Sequence, residues 1–322
     1  MFERHYLVVN PNCHQGKGGE RWAAIRQQVK EQLPKDVIEI ILENGISLEK
    51  ELLPLLDSGN AHYIYNAGGD GGMHYLVNLL MKSTEVNLDH IHIGAIGLGS
   101  SNDFLKPFAA KIKDIPVSIQ YKYGSLKSDV GKVGYIDQDG NPQTEYFIIN
   151  ASMGVTATAN YNFNHPDRLL RYLKANFTNL AILYTAIKTI FTYNNMACTL
   201  EFNNSSIVSP VANINLLKIP FVSGSFRYSD SIAPNDGTFG LHICLDISKW
   251  ELLQVLYRLG KGVFINGPKT LSDRVNSFTI SSKKPIVFEC DGETFLSEHI
   301  QVSLIPSKIQ IIKSHRDENQ PR

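Results

Sequence analysis

The sequence predicts an α/β fold followed by a β fold: a doubly wound N-terminal α/β domain, then a C-terminal antiparallel β-sandwich carrying one helical excursion. Three observations predict it. The chain has 322 residues, more than one core organises comfortably and suited to two domains. Strand and helix signals alternate up to Pro116, the pattern of parallel strands with helices on their faces. Beyond Pro116 short strands separated by turn clusters take over.

The elements follow in order. His5–Asn10 reads as a buried strand, and 18–33 has helical apolar spacing at Trp22, Ile25, Val29 and Leu33. Val37–Leu42 is a second strand, and Ser47 can cap the helix that follows. Ala61–Ala67 is the third strand, Met73–Met81 the third helix, His90–Ile96 the fourth strand, and Asn102–Ala110 reads as helical. Leu126–Tyr135 and Gln143–Asn150 flank the turn Asp139-Gly140. A long helical stretch covers 168–193. Then come strands at Cys198–Phe202, Val208–Leu217, Gly240–Ile247, Ser277–Ser281, Ile286–Cys290 and Ile300–Leu304. The boundary falls near residue 120, giving domains 1–120 and 121–313, with a polar, disordered tail over 314–322.

Composition narrows the function. Hydrophobic residues make up 43% and charged residues 19%, as expected of a folded chain. With 31 basic and 31 acidic residues there is no basic excess, which argues against a nucleic-acid partner. Cys13, Cys198, Cys244 and Cys290 are scattered, fitting reduced cytoplasmic thiols rather than a zinc site or disulfide scaffold. The N-terminus lacks the layout of a signal peptide. Leu180–Phe191 is too short, and interrupted by Lys188, to span a bilayer.

Three loops carry chemistry, each at the carboxyl end of a predicted strand. Gly68-Gly69-Asp70-Gly71-Gly72 surrounds one carboxylate with four glycines. Glycine allows close backbone approach, and the next helix start offers amides to phosphate. A carboxylate there points to Mg²⁺ or to proton transfer; the competing reading is a plain capped turn. Gly97-Leu98-Gly99-Ser100-Ser101-Asn102-Asp103-Phe104 is a second small-residue loop with hydroxyl and amide donors. Asn10-Pro11-Asn12-Cys13-His14-Gln15-Gly16-Lys17 is a weaker, lysine-bearing turn without Walker A spacing.

In this order the three loops resemble the diacylglycerol kinase catalytic family, which includes bacterial lipid kinases and the eukaryotic sphingosine and ceramide kinases. The N-terminal domain of that family is similar to those of NAD kinases and phosphofructokinases. The resemblance continues through Asp129-Val130-Gly131, Asn150 with Gly154, Ala233-Pro234-Asn235-Asp236-Gly237 and Asp291-Gly292-Glu293. It implies ATP and Mg²⁺ as cofactors and a nucleotide site from Asn10, Gly16, Lys17, Gly68, Gly69, Asp70, Gly71, Gly72, His74, Gly99, Ser100 and Asn102. It implies Asp70 and Glu293 as catalytic, Glu293 serving as base on the lipid hydroxyl, with the second domain closing over the first. Asp129 would lie in the cleft near the lipid head group or metal, and Asp236 with Thr238 at a metal partly held by backbone carbonyls.

The sequence departs from the family pattern at Gly72, where Thr or Ser is usual, at His74-Tyr75, and at Cys13-His14 in the first loop. The reading is therefore an ATP-dependent kinase acting on a diacylglycerol or sphingoid-type hydroxyl. The alternatives are a degenerate nucleotide- or lipid-binding regulator, or an NAD-kinase-like enzyme on a soluble acceptor. The substrate class places the protein in the cytoplasm and peripherally at the membrane, and leaves a homodimer open. The apolar residues of 168–193 would serve as an acyl-chain wall or membrane contact, or pack on the sandwich.

Overall fold

The structure, a computed structural model, describes residues 2–43, 46–107 and 110–313; the expected tail over 314–322 lies outside them. The chain forms two compact units. The first runs through Ser128 and resumes at Pro306; the second is Asp129–Ile305.

In the first unit, β1 (Glu3–Val9), α1 (Gly18–Gln32), β2 (Ile38–Ile41), α2 (Leu48–Leu52), β3 (Ala61–Gly68), α3 (Asp70–Lys82) and β4 (Ile91–Gly97) alternate as expected. The sheet order is β2-β1-β3-β4, all parallel. Tyr6, Leu7, Val8 and Val9 are all fully buried, as strands covered on both faces require. Trp22, Ile25 and Val29 of α1 pack with Leu7, Val9 and Tyr65. A hairpin of β5 (Ala110–Ile112) and β6 (Ile115–Ser118) lies antiparallel to the far edge of β4. The expected helix at 102–110 is only a single 3₁₀ turn, Asp103–Leu105; Pro107 two residues on opposes helix continuation.

The remaining elements are β7 (Ser125–Ile136), β8 (Pro142–Phe147), β9 (Asn150–Gly154), α4 (Val155–Asn164), α5 (Arg168–Asn176), α6 (Thr178–Thr192), β10 (Met196–Phe202), β11 (Ser205–Leu217), β12 (Phe221–Val222), β13 (Phe226–Arg227), β14 (Phe239–Leu245), α7 (Lys249–Leu259), β15 (Thr270–Val275), β16 (Ser277–Cys290) and β17 (Glu293–Ile312). The second unit is β-rich. β11 pairs antiparallel with β10, β14 and β9, and β16 with β10, β9 and β17. Phe147, Leu200, Ile214, Phe239, Phe278 and Phe288 form its core.

Three differences from expectation have physical causes. The stretch 168–193 is two helices: Phe177, with φ −143° and ψ 73°, separates α5 from α6, and α4 precedes them outside the expected stretch. Leu170, Leu173 and Ala181 are buried, but Leu169, Tyr172, Phe177 and Leu180 are all more than half exposed. Ser277–Ser281 and Ile286–Cys290 belong to one strand, interrupted by a register shift. The residues 121–313 do not form one body, because β17 ends in the first unit: Gln310 and Ile311 pair parallel with His92 and Ile93 of β4, and Ser118 Oγ donates to Ile312 O at 2.8 Å.

Candidate active site

The loops after β3 and β4 are built against each other. The amides of Leu98 and Gly99 both donate to Gly68 O, at 2.8 and 3.1 Å. Gly69 and Gly99 touch backbone to backbone: a Cβ on Gly99 would lie 2.5 Å from Gly69 Cα, and one on Gly69 3.1 Å from Gly99 Cα. Only glycine permits that approach. Asp70, the first residue of α3, completes the junction. Its Oδ2 accepts the Asp103 amide at 3.0 Å and its Oδ1 the Phe104 amide at 3.1 Å.

Asn102 sits in the left-handed region at φ 51° and is buried. Its Nδ2 donates to Gly97 O and Gly99 O at 3.2 and 3.0 Å, while its buried Oδ1 has no partner. The first-turn amides of α3 have no helical acceptors and give that end a positive field. Glycines and the amides of a helix start make this a place to hold phosphate, with Asn102 bracing the adjoining loop through Gly97 O and Gly99 O.

The loop after β1 behaves differently. Asn12 N donates to Asn10 Oδ1 at 3.0 Å, and the amides of Cys13, Gly16, Lys17, Gly18 and Gly19 all donate to carbonyls of residues 10–14. Gly18 is required, since a Cβ would lie 2.5 Å from Cys13 Sγ. Gly16 and Lys17 are exposed. The Lys17 amide is spent within the loop on His14 O.

In the second unit, Asp291 and Gly292 have φ 50° and 98° and form the two-residue turn between β16 and β17, the kind that needs positive φ at both positions. Asp291 accepts the amides of Ile148, Ile149 and Asn150 at 2.9–3.0 Å. Glu293 stands exposed at the start of β17. Beneath the turn, Glu289 is wholly buried. Asn150 Nδ2 donates to it at 2.5 Å, Ser152 Oγ at 3.0 Å and Gly292 N at 2.6 Å. Burial pushes its carboxyl up to about 7, against the pull of these donors.

Residues 4–133 match the family model described as the diacylglycerol kinase catalytic domain, and 150–313 match the YegS C-terminal NAD kinase beta sandwich-like domain. The chain belongs to the diacylglycerol kinase catalytic family. Relatives agree in overall extent: "Putative lipid kinase YtlR" of Bacillus subtilis is 22% identical over 314 residues, covering 95% of this chain and 98% of its own. Two solved structures from Bacillus anthracis share the fold. One described as a diacylglycerol kinase has a TM-score of 0.68 at 14% identity. One described as a "putative diacylglycerol kinase" has a TM-score of 0.72 at 16% identity. Each covers 98% of both chains.

Within this member of the diacylglycerol kinase family, the structure gathers Gly68, Gly69, Asp70, Gly99 and Asn102 at one junction. Gly71 and Gly72 lie in the first turn of α3, and Ser100 is exposed in the adjoining loop. His74 does not join them. It is buried on α3 with Asn78 Nδ2 near its ring and bonded to its carbonyl at 3.0 Å. Asp129 is not open to a substrate either. It is 1% exposed, 3.0 Å from the Lys218 ammonium, and also accepts the Gly237 amide at 2.9 Å. Asp236 and Thr238, expected at a metal, converge on the same ammonium.

The sequence reading missed four residues. Asn66, buried on β3, lies 3.4–3.6 Å from where Cβ atoms on Gly68 and Gly72 would stand; its polar type inside the apolar run Ala61–Ala67 was the available signal. Arg21 reaches from α1 to Gly97 O at 3.0 Å. Glu289 and Lys218 are the others, each written in sequence like an ordinary strand-end charge.

Proposed function

We propose that the chain transfers the γ-phosphoryl group of ATP to a lipid hydroxyl, of the diacylglycerol or sphingoid type. The observation that carries this is the junction of the two glycine loops by Asp70 at the start of α3. Phosphoryl transfer needs positioned amides, charge neutralisation and a carboxylate for the attacking hydroxyl. Gly68–Gly72 and Gly99 fit the phosphates, and Asn102 braces the second loop beside them. Asp70 accepts one amide on each oxygen, and a carboxylate at the start of α3 is the kind of ligand that joins phosphate oxygens around a Mg²⁺. Mg²⁺ would neutralise charge on the phosphates. Glu293, exposed in the second unit, is the base assigned to take the hydroxyl proton as the new P–O bond forms and ADP leaves.

The exposed side chains of α5 and α6 support a lipid substrate met at a membrane surface. Leu169, Tyr172, Phe177 and Leu180 are more than half exposed, and Arg168 and Arg171 beside them are exposed too. Apolar and aromatic groups mixed with arginine suit an anionic lipid interface. Among the described residues no helix is long and apolar enough to cross a membrane.

The test is transfer of labelled γ-phosphate from ATP·Mg²⁺ to a lipid extract in detergent, with Asp70→Asn and Glu293→Gln as controls. A labelled lipid made only by the wild type is expected. ATP binding with no labelled lipid would instead favour a nucleotide-binding regulator. Labelling of a water-soluble acceptor without detergent would favour chemistry of the NAD-kinase type.

A further inference from the structure

The turn Ala233–Thr238 gathers oxygen donors of the kind that hold hard divalent ions: the carboxylates of Asp129 and Asp236 and the carbonyls of Ala233 and Thr238. They surround the ammonium of Lys218. Its Nζ lies 3.0 Å from Asp129 Oδ2, 2.9 Å from Asp236 Oδ1, 3.2 Å from Ala233 O and 2.9 Å from Thr238 O. The ammonium is not a surface group that has drifted in. Lys218 follows β11 directly, its side chain is 1% exposed, and its own amide donates to Ile149 O at 2.9 Å.

Charge counting points the same way. Asp129 and Asp236 bring two negative charges. Lys218 brings one positive charge, and Arg274 a second, its Nη1 lying 2.8 Å from Asp236 Oδ2. The cluster is neutral without a metal. A divalent ion would have to enter beside a buried ammonium with no carboxylate left unmatched, and buried charges are tolerated only when paired. The donor set suits a metal; the space and the charge do not.

We propose that Lys218 is the built-in cation of this turn. Its ammonium stands where a divalent metal would be held, ties Asp129 at the start of the second unit to the Ala233–Thr238 turn, and frees that turn from metal supply. The proposal is independent of the kinase reading, since it concerns the folding of the second unit and not turnover.

Thermal unfolding of the full chain without nucleotide tests it. The wild-type midpoint is expected to be the same in EDTA and in millimolar Mg²⁺, Ca²⁺ or Mn²⁺. Lys218→Ala should lower the midpoint in EDTA by about 10 °C, and Ca²⁺ or Mn²⁺ should restore part of the loss by filling the vacated donors. A wild-type midpoint that rises with a divalent ion, and no longer does so in Asp236→Asn, would overturn the proposal. So would a Lys218→Ala chain as stable as wild type, or one that no ion restores. Should Lys218→Ala fail to fold, Mn²⁺ binding by electron paramagnetic resonance decides. Equal binding to wild type and Asp236→Asn supports the built-in cation; loss of one bound Mn²⁺ in Asp236→Asn refutes it.

Discussion

The Asp70 carboxylate accepts the main-chain amide of Asp103 at 3.0 Å, so the acid of one glycine loop holds the other loop in place. Asp70 thereby carries a structural duty as well as the catalytic one assigned to it. Asp70→Asn replaces one accepting oxygen by a donor facing an amide, which costs about 1–3 kcal/mol. Turnover is expected to fall at least about 100-fold, with a lowered unfolding midpoint in the same sample. An Asp70→Asn protein with wild-type kcat would remove Asp70 from the chemistry.

Gly99 and Gly72 should respond oppositely to added atoms. At Gly99 a methyl group would meet Gly69 Cα at 2.5 Å, so the two loops must part. Gly99→Ala is expected to cost about 1–3 kcal/mol and to weaken ATP binding in a calorimetric titration. At Gly72 the nearest atoms to an added Cβ are those of the Asn66 amide at 3.4 Å, an ordinary contact. Gly72→Ser should fold like wild type and, by restoring a hydroxyl beside the phosphates, tighten ATP binding by about fivefold, roughly 1 kcal/mol.

Glu289 makes stability depend on pH in a definite direction. Its carboxyl titrates at about 7 in the folded chain and at about 4.3 in an unfolded one. Between those values the folded chain keeps a proton that the unfolded chain releases, so stability falls as pH rises, by about 4 kcal/mol in all, and levels off above 7. Denaturant midpoints at pH 5 and pH 8 should differ in this sense for wild type. Glu289→Gln should lack this contribution, and an unchanged pH difference in that variant would refute the assignment.

The exposed face of α5 and α6 should matter only at a lipid surface. Phe177 and Leu180 are 54% and 51% exposed, so Phe177→Glu with Leu180→Glu should change stability little. Co-sedimentation with anionic vesicles is expected to fall, while phosphorylation of a detergent-dispersed lipid stays within about twofold. Unchanged sedimentation would remove this face from membrane contact.

Much of this was legible in the sequence because it rests on local rules. Apolar spacing marked α1 and α3, buried runs marked β1, β3 and β4, and glycine clusters marked the loops between them. α7 was not among the expected elements, although Ser248 and Glu251 form a capping box and satisfy each other's amides in the structure. What could not be read depends on distant partners. Lys218 becomes an interior cation only because Asp129, 89 residues away, and the Ala233–Thr238 turn reach it. Glu289 looks like an ordinary strand carboxylate until Asn150 and Ser152 enclose it. The stretch Gln310-Ile311-Ile312 has the composition of any sandwich strand, and nothing local tells it to pair with β4.

That last pairing has a consequence for how the protein comes into being. The N-terminal half leaves the ribosome long before residues 306–312 exist, so β4 waits with hydrogen-bonding groups at His92 and Ile93 uncovered. Uncovered strand edges recruit strangers. The first unit therefore finishes last although it begins first, and a nascent chain stopped anywhere short of β17 carries an open seam for quality control or for aggregation to find.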